Sequence, residues 1–360
     1  MIEFQVQKND LNTIRSVEVD TPTAAQGEIV VKVDRFAFTA NNITYGVAGD
    51  MIGYWQFFPP HGDNTDDWGV LPVWGFANVI ESNVADIPVG DRFYGYFPPA
   101  THLKMKPVGI SPERFMDGSE HRSQLPPGYN AYQRVKADPS YNPAMDNQRA
   151  LLFPLHITSF CLWDALNDAD WRGAEQILIL SASSKTSIGL GQFLSDDQDA
   201  PSTIGLTSAR NADFVRNLGF YDACLTYDEL SKLDTNKPTV IVDMSGNGGL
   251  LGQLHKALGD NMNFCINVGM THWEEGASNP DIIADRSEFF FAPGHIQKRM
   301  KDWGPDGFAQ KSTAFMTKSA VKSGDWMTVR ELDGIPALEA IYLDVCNGKV
   351  APNEGLIVTL

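Results

Sequence analysis

The strongest constraint on the fold is a regular alternation of apolar strands and helical segments between about residues 176 and 268. Gln176–Leu180 and Thr239–Asp243 are largely apolar, as expected for strands that are covered on both faces of a sheet. Strands alternating with helices at this spacing predict a doubly wound parallel sheet. The other predicted elements are strands at Ser202–Leu206, Ala223–Thr226 and Asn263–Val268, and helices at 186–195, 209–218 and 250–258.

The chain before this series is predicted to be β-rich. Glu28–Asp34, Val70–Ile80 and Arg92–Phe97 are short strand candidates separated by turns. Residues 107–150 show little periodicity and are interpreted as an elaborated loop region with room for a short helix. A helix is predicted at Leu155–Asn167.

The tail from Val329 to Leu360 has the pattern of a helix followed by a strand, and we expect it to return to the first domain. A chain of 360 residues is too long for one comfortable core. We therefore predict a β-rich domain of residues 1–150 and 310–360 and an α/β domain of residues 151–309.

Charge and cysteine content disfavour several classes of protein. The net charge is −17, from 45 acidic and 28 basic residues, which disfavours nucleic acid and anionic lipid as partners. No apolar run reaches the ~18 residues of a membrane span, and the charged start does not resemble a signal peptide, so we expect a cytoplasmic location. The four cysteines form no CxxC pair and the seven histidines show no pair at metal-ligand spacing, so no metal site is expected.

Motifs spread over nearly the whole chain follow one another in a characteristic order. They lie in Glu28–Asp50, Val73–Glu81, Val89–Phe93, Pro154–Leu166, Asp243–Gly246, Asn267–Gly269, Gly348–Lys349 and Ile357–Leu360. This order resembles the medium-chain dehydrogenase/reductases, especially their quinone oxidoreductase-like branch without zinc. The resemblance implies a GroES-like β-rich catalytic domain joined to a Rossmann dinucleotide-binding domain.

The chain departs from that family at two places. Zinc enzymes of the family carry Cys in the first loop and Gly-His-Glu further on, whereas this chain has Thr39–Asn42 and Gly75–Ala77 there, so no catalytic zinc is expected. The usual glycine-rich cofactor loop is replaced by Ser181–Ser187, which is rich in hydroxyl groups.

The segment Ser181–Ser187 joins a buried strand to a helix, where free N–H groups and the helix dipole attract anions. We predict that it binds the cofactor's phosphates through hydroxyl groups and a lysine; the alternative is an N-capping cluster with a solvated lysine. The candidate residues are Ser181, Ser183, Ser184, Lys185, Thr186 and Ser187. A P-loop NTPase is a second alternative, but the glycine spacing of its motif is absent, with Ser184 at the second glycine position.

The end of the second strand indicates which nicotinamide cofactor is used. An acid at this position would bind the ribose 2′-hydroxyl of NAD, but Leu206–Asn211 contains none. Ser208 and Arg210 could instead bind a 2′-phosphate, so NADPH is favoured; the alternative is a helix cap beside an exposed arginine. By resemblance, Thr158 and the strand ends with Ser245, Gly246, Asn267 and Gly269 border the nicotinamide.

Hydride transfer needs a group that stabilises the developing oxyanion, and without zinc a side chain must supply it. By resemblance Tyr45 faces the nicotinamide, and Asn42 precedes it in the same loop; each has a structural alternative. Tyr54, Trp55 and Phe57 belong to an aromatic segment that could line an apolar or aromatic substrate pocket, or could simply pack on the core.

The sequence therefore predicts an NADPH-dependent, zinc-independent oxidoreductase acting on a carbonyl, quinone or enone. Phe289–Pro293 is interpreted as an edge strand, and in related proteins the corresponding edge pairs across a dimer axis, so a homodimer is expected. A non-catalytic NADPH-binding redox sensor or interaction protein is the alternative from another class.

Overall fold

The computed structural model describes residues 1–139, 141–268 and 281–360. The strands are β1 (Ile2–Gln7), β2 (Asp10–Glu18), β3 (Ile29–Phe38), β4 (Trp68–Gly69), β5 (Val73–Ser82), β6 (Arg92–Phe97), β7 (His102–Met105), β8 (Pro107–Val108), β9 (Arg114–Asp117), β10 (Ala131–Arg134), β11 (Gln176–Leu180), β12 (Ser202–Thr207), β13 (Ala223–Thr226), β14 (Thr239–Asp243), β15 (Met262–Asn267), β16 (Ser287–Phe289), β17 (Thr328–Asp333) and β18 (Glu354–Thr359). The α-helices are α1 (Ala40–Val47), α2 (Asp146–Asp168), α3 (Lys185–Asp196), α4 (Ala212–Leu218), α5 (Gly248–Leu258), α6 (Ala292–Lys322) and α7 (Gly334–Cys346).

The chain divides into two compact units. Unit 1 contains Met1–Leu151 and Met327–Leu360, and unit 2 contains Leu152–Trp326. The second boundary lies after the predicted residue 309 because α6, which is kinked at Gly304, continues to Lys322. Along α6, Phe308 and Phe315 pack with Phe160 of α2 and Phe193 of α3, which keeps the whole helix in unit 2.

Unit 1 is built on a mostly antiparallel sheet in the order β17-β18-β3-β5-β6-β10-β9-β8, with β7 also paired to β3. A smaller sheet has the order β2-β1-β4. The predicted irregularity of residues 107–150 is wrong in part, because β8, β9 and β10 extend the larger sheet and α2 begins at Asp146. These strands have only two to four residues each, too few to establish a period of two.

The tail of the chain forms a strand, a helix and a strand rather than the predicted helix and strand. β17 runs parallel to β18, and α7 connects them. β17 was missed because it is an outer strand whose residues are mostly exposed and partly charged. Such edge strands lack the apolar alternation on which the prediction depended.

Unit 2 contains a parallel sheet in the order β13-β12-β11-β14-β15-β16, so the predicted doubly wound fold is confirmed. Alternate residues of β11 enter different cores. Leu178 and Leu180 pack with α5, whereas Ile177 and Ile179 pack with α2 and α3. Because both faces are covered, the strand is apolar at every one of these positions.

Candidate functional site

The turn between β11 and α3, residues 181–187, is here called the phosphate turn. Its first residue, Ser181, has a φ of +57°, a left-handed conformation that favours glycine. The Ala182 N–H donates to the Leu206 carbonyl at 2.9 Å, and the Ser184 N–H donates to the Ser181 carbonyl at 2.8 Å. The turn therefore bends sharply at the carboxyl end of β11 while remaining attached to β12.

One of the predicted hydroxyls caps helix α3, and a second one contacts it. Ser184 is its N-cap: its Oγ accepts from the Ser187 N–H at 3.2 Å and lies 2.9 Å from the Ser187 Oγ. Ser184 therefore has the capping role that the sequence offered as the alternative, and Ser187 beside it is fully buried. Lys185 and Thr186 are the first two residues of α3, where main-chain N–H groups point out of a helix.

Glycine permits the phosphate turn to lie close to β12. A Cβ at Gly205 of β12 would lie 2.9 Å from the Ala182 Cβ. The Tyr221 hydroxyl also donates to the Ala182 carbonyl at 2.9 Å. The glycine-rich motif is thus absent from the turn, and the glycine that allows close packing lies on the neighbouring strand.

Helix α2 fixes the start of α3 through two residues that the sequence analysis did not select as cofactor residues. The Ser159 Oγ donates to the Thr186 carbonyl at 2.7 Å, and His156 Nε2 lies 3.1 Å from the Lys185 carbonyl oxygen. Burial lowers the pKa of His156 to about 4, so the ring is neutral near pH 7. Thr158, the residue that the sequence predicted, lies between these two residues in sequence on α2 and is half-buried.

The turn that follows β12 carries the predicted cofactor-specificity residues. Ser208 is half-buried and begins a short 3₁₀ turn, and Arg210 in that turn is exposed. The next acid, Asp213, lies in α4 and pairs with Arg216 at 3.0 Å. No carboxylate therefore stands in the turn itself, as the sequence indicated.

The ends of β14 and β15 bring further predicted residues to the same edge of the sheet. The buried Asp243 carboxylate accepts from the Ser245 N–H at 2.8 Å and from its Oγ at 2.6 Å, and burial raises the pKa of Asp243. Gly246 follows with a φ of +63°. Asn267 is buried at the end of β15, and its carbonyl accepts from the Phe290 N–H at 2.8 Å. Gly269 lies outside the described residues.

Asn42 lies in unit 1, where its amide is committed to local structure. Its Oδ1 accepts from the Thr39 N–H at 2.7 Å, as part of the capping box of α1. Its Nδ2 donates to the Pro72 carbonyl at 2.7 Å. The buried amide therefore fixes the start of α1, and Tyr45 lies on this helix rather than in the loop that the sequence predicted.

Tyr45 belongs to an aromatic cluster in unit 1. The cluster consists of Tyr45, Tyr54, Phe57, Trp74, Tyr94, Tyr96 and Tyr129. The Tyr45 hydroxyl accepts from the Trp74 Nε1 at 3.4 Å, and the hydroxyls of Tyr54 and Tyr129 lie 3.0 Å apart. The buried Tyr96 hydroxyl has no hydrogen-bond partner among the described residues.

The three predicted pocket residues are all buried and differ in their surroundings. A Cβ at Gly49 or Gly69 would meet the ring of Trp55 at 2.0 Å or 2.4 Å, so this ring is packed between two glycines. Phe57 is a fully buried member of the cluster, whereas Tyr54 belongs to the hydroxyl pair. Trp74 and Tyr129 are the half-buried members of the cluster, and the sequence did not assign Tyr129 to it.

The described residues bear on two questions, metal binding and membrane insertion. They contain no group of three or more His, Cys, Asp or Glu side chains that could hold a metal ion. None of their helices combines the length and the hydropathy needed to cross a bilayer.

The two units together define a class of fold. The fold is similar to that of solved oxidoreductases, which agrees with the fold class that the sequence resemblance predicted. Within it, residues 36–351 match the protein family described as "Protein of unknown function (DUF2855)", and the chain belongs to that family. No curated protein matches the sequence.

Several solved structures are similar over the whole chain. CurA from Vibrio vulnificus in complex with NADPH has a TM-score of 0.66 at 14% identity, with 100% of this chain and 99% of that one covered. The quinone oxidoreductase from Coxiella burnetii has a TM-score of 0.57 at 15% identity, with 100% and 99% covered. A mutant form of enoyl thioester reductase from Candida tropicalis has a TM-score of 0.56 at 13% identity, with 100% and 99% covered.

Proposed function

We propose that the protein is an NADPH-dependent, zinc-independent oxidoreductase that transfers hydride to a carbonyl, quinone or enone. The position of the phosphate turn carries the proposal. The turn follows β11, beside which the strand order of the sheet reverses, and leads directly into the N-terminus of α3. Open α/β sheets bind nucleotides at such a reversal, and helix N-termini bind phosphate. The complex of the similar CurA with NADPH supports this choice of cofactor.

The residues at the carboxyl edge of the sheet fit a dinucleotide. The N–H groups of Lys185 and Thr186 would hold the pyrophosphate, since they begin a helix that is otherwise capped by Ser184. The resemblance assigns the nicotinamide border to Thr158, Ser245, Gly246, Asn267 and Gly269. A bound nicotinamide supplies the hydride.

We propose NADPH rather than NADH because of the turn after β12. Ser208 and the exposed Arg210 would bind the 2′-phosphate, and no carboxylate in the turn would repel it. In an enzyme specific for NADH, an acid at this point binds the ribose 2′-hydroxyl. The next acid along the chain, Asp213, lies on α4 and forms an ion pair with Arg216.

The aromatic cluster is the proposed substrate site. Burial raises the pKa values of Tyr45 and Tyr54, so both hydroxyls stay protonated near pH 7 and can donate to a substrate oxygen. The half-buried Trp74 and Tyr129 would present aromatic faces to an apolar or aromatic substrate. The buried Trp55 and Phe57 would support these rings, and Asn42 would position helix α1, which carries Tyr45.

Two similar structures are named for acceptors with a conjugated carbonyl, a quinone and an enoyl thioester. A homodimer through β16 is part of the proposal, because this outermost strand of the sheet precedes the exposed Phe291. One alternative is a non-catalytic NADPH-binding protein. The other is a nucleoside triphosphatase, which Lys185 of the phosphate turn favours.

Turnover tests the proposal directly. The purified protein is mixed with NADPH and a panel of quinones, enones and aldehydes, and the absorbance of the reduced nicotinamide is followed. We expect oxidation with at least one acceptor, and a roughly 100-fold lower kcat for Tyr45→Phe because one donor to the oxyanion is lost.

The control is Tyr342→Phe, which removes a hydroxyl that donates to the Leu11 carbonyl at 2.8 Å within the core of unit 1. It should leave kcat unchanged. NADPH that binds but is oxidised by no acceptor would favour the non-catalytic alternative. Magnesium-dependent ATP hydrolysis that is lost in Lys185→Ala would favour the triphosphatase.

A further inference from the structure

Three side chains connect the phosphate turn to the end of β12. Asn211 Nδ2 donates to the Ser183 Oγ at 3.0 Å, and the Thr207 Oγ1 donates to the same oxygen at 3.3 Å. Ser183 is 9% exposed and Thr207 is 1% exposed. The contacts join the two turns that the sequence analysis treated as separate: the phosphate turn and the turn that begins at Ser208.

The two contacts determine what the Ser183 hydroxyl can do. A hydroxyl has one hydrogen and two lone pairs, and the Asn211 amide nitrogen can only donate to Ser183. Either of the Thr207 and Ser183 hydroxyls can donate to the other, so when Thr207 donates, the Ser183 hydrogen is left for a third group. Among the described residues, the Ser183 Oγ has only these two hydrogen-bond partners. A buried donor without an acceptor is costly, so the arrangement points to an acceptor from a ligand.

The position of Ser183 indicates which part of a ligand this is. Its partners are the last residue of β12 and the last residue of the turn that holds Ser208 and Arg210. In doubly wound sheets the end of this strand holds the adenosine ribose. Because no carboxylate stands in the turn, an anionic acceptor can approach, and a hydrogen bond to an anion is stronger than one to a neutral group.

We infer that Ser183 donates to the 2′-phosphate of NADPH and that Asn211 is the positioning residue that directs it. The inference rests on the proposed function. Asn211 is thereby a determinant of specificity that acts through Ser183. The pyrophosphate is the other anionic acceptor in the same cofactor, and a comparison of NADPH with NADH distinguishes it from the 2′-phosphate. NADH also has a pyrophosphate, whereas the 2′-phosphate is unique to NADPH.

The experiment measures Kd for NADPH and for NADH by quenching of the eight tryptophans of the full chain. The variants are Ser183→Ala, which removes the donor, and Asn211→Asp, which replaces an N–H donor by a carboxylate of the same shape. The carboxylate would accept the Ser183 hydrogen and repel the phosphate. Thermal unfolding of each variant checks that it folds. If Asn211→Asp does not fold, Ser183→Ala, which is the smaller change, still tests the inference.

The matched control is Asn261→Ala. Asn261 Nδ2 donates to the Thr235 carbonyl at 2.9 Å, and Asn261 directly precedes β15, at the amino end of the same parallel sheet. This variant also loses one half-buried amide, but at the opposite edge from the phosphate turn. Its Kd ratio of NADH to NADPH should equal that of the wild type.

We expect Ser183→Ala and Asn211→Asp to weaken NADPH roughly tenfold or more and to leave NADH unchanged. Equal weakening of both nucleotides, or unchanged NADPH binding, would overturn the inference while the proposed cofactor stands. Absence of NADPH binding to the wild type would instead overturn the proposed function, together with the inference that rests on it.

Discussion

The phosphate turn of unit 2 and the aromatic cluster of unit 1 both place polar atoms in buried surroundings, but they are organised in different ways. In the turn, hydroxyls bond to main-chain groups and to one another, as Ser184 does with Ser187. In the cluster, ring packing fixes the positions, and the Tyr96 hydroxyl has no partner among the described residues. Hydrogen bonds therefore determine the turn, whereas packing determines the cluster and leaves the Tyr96 hydroxyl unbonded among the described residues.

The two regions should therefore differ in which substitutions destabilise them. A cluster held by packing depends on what supports its rings from below. A turn held by local hydrogen bonds depends on protonation and on backbone conformation. The following substitutions test these dependences, beginning with the largest expected effect.

The support of the cluster depends on the buried Arg122, which is 1% exposed. Its guanidinium donates to Asp117 Oδ2 at 2.9 Å and to the Tyr129 carbonyl at 2.8 Å, and it lies 5.5 Å from the centre of the Phe57 ring. Arg122→Met leaves the Asp117 carboxylate buried without its cation. We expect the free energy of unfolding to fall by about 3–5 kcal/mol in denaturant titrations.

The control is Arg330→Ala. Arg330 pairs with Glu354 at 3.2 Å but is half-exposed, so its loss should cost about 1 kcal/mol or less. If Arg122→Met cost no more than this control, the buried cation would not support the cluster.

Acid should act on unit 2 through His156. Burial lowers the pKa of His156 to about 4, below its ordinary 6.5. The unfolded chain therefore takes up a proton that the folded chain refuses, so stability is full above pH 6.5 and falls as the pH drops toward 4. We expect this loss to reach about 3 kcal/mol relative to His156→Gln, measured as the difference in free energy of unfolding across that range.

His61 of unit 1 is expected to have the opposite effect on the pH dependence of stability. Its Nδ1 lies 3.0 Å from the buried Glu3 carboxylate, which raises the pKa of His61 above 6.5. The stability it contributes is present below pH 6.5 and is lost as the pH rises through the folded-state pKa. A smaller effect is expected because the side chain is half-exposed. The same sign for His61→Gln and His156→Gln would contradict the comparison.

The smallest effect is expected from Ser181→Gly. Ser181 has a φ of +57°, which costs a non-glycine residue about 1–2 kcal/mol. Glycine removes this strain but adds freedom to the unfolded chain, so a net gain of about 1 kcal/mol or less in the free energy of unfolding is expected. Ser181→Ala keeps the strain and should give no gain. Equal effects of the two variants would show that the hydroxyl, not the backbone, matters.

The comparison also shows what the sequence could predict. β11 and β14 were predicted with their observed bounds because a strand covered on both faces is apolar along its length. The short strands β8 to β10 were missed because pairing with neighbours distant in sequence, not periodicity, defines them.

Within the candidate site, the sequence predicted the position of the phosphate turn but not the partners of its hydroxyls. Ser183 bonds to Thr207 and Asn211, which lie more than twenty residues away and are brought close by the parallel pairing of β11 and β12. Similarly, no local signal connects His156 to Lys185. The hydroxyl pattern itself could only suggest capping or phosphate binding, and the structure contains the capping.

The most direct test of the central claim is a titration of the purified protein with NADPH, NADH and ATP–Mg²⁺, followed by tryptophan quenching and repeated with Arg210→Ala. The account predicts micromolar NADPH binding, much weaker NADH binding, and a selective loss of NADPH affinity in the variant. Binding of neither nicotinamide nucleotide would contradict it, and binding of ATP–Mg²⁺ alone would point to the triphosphatase instead.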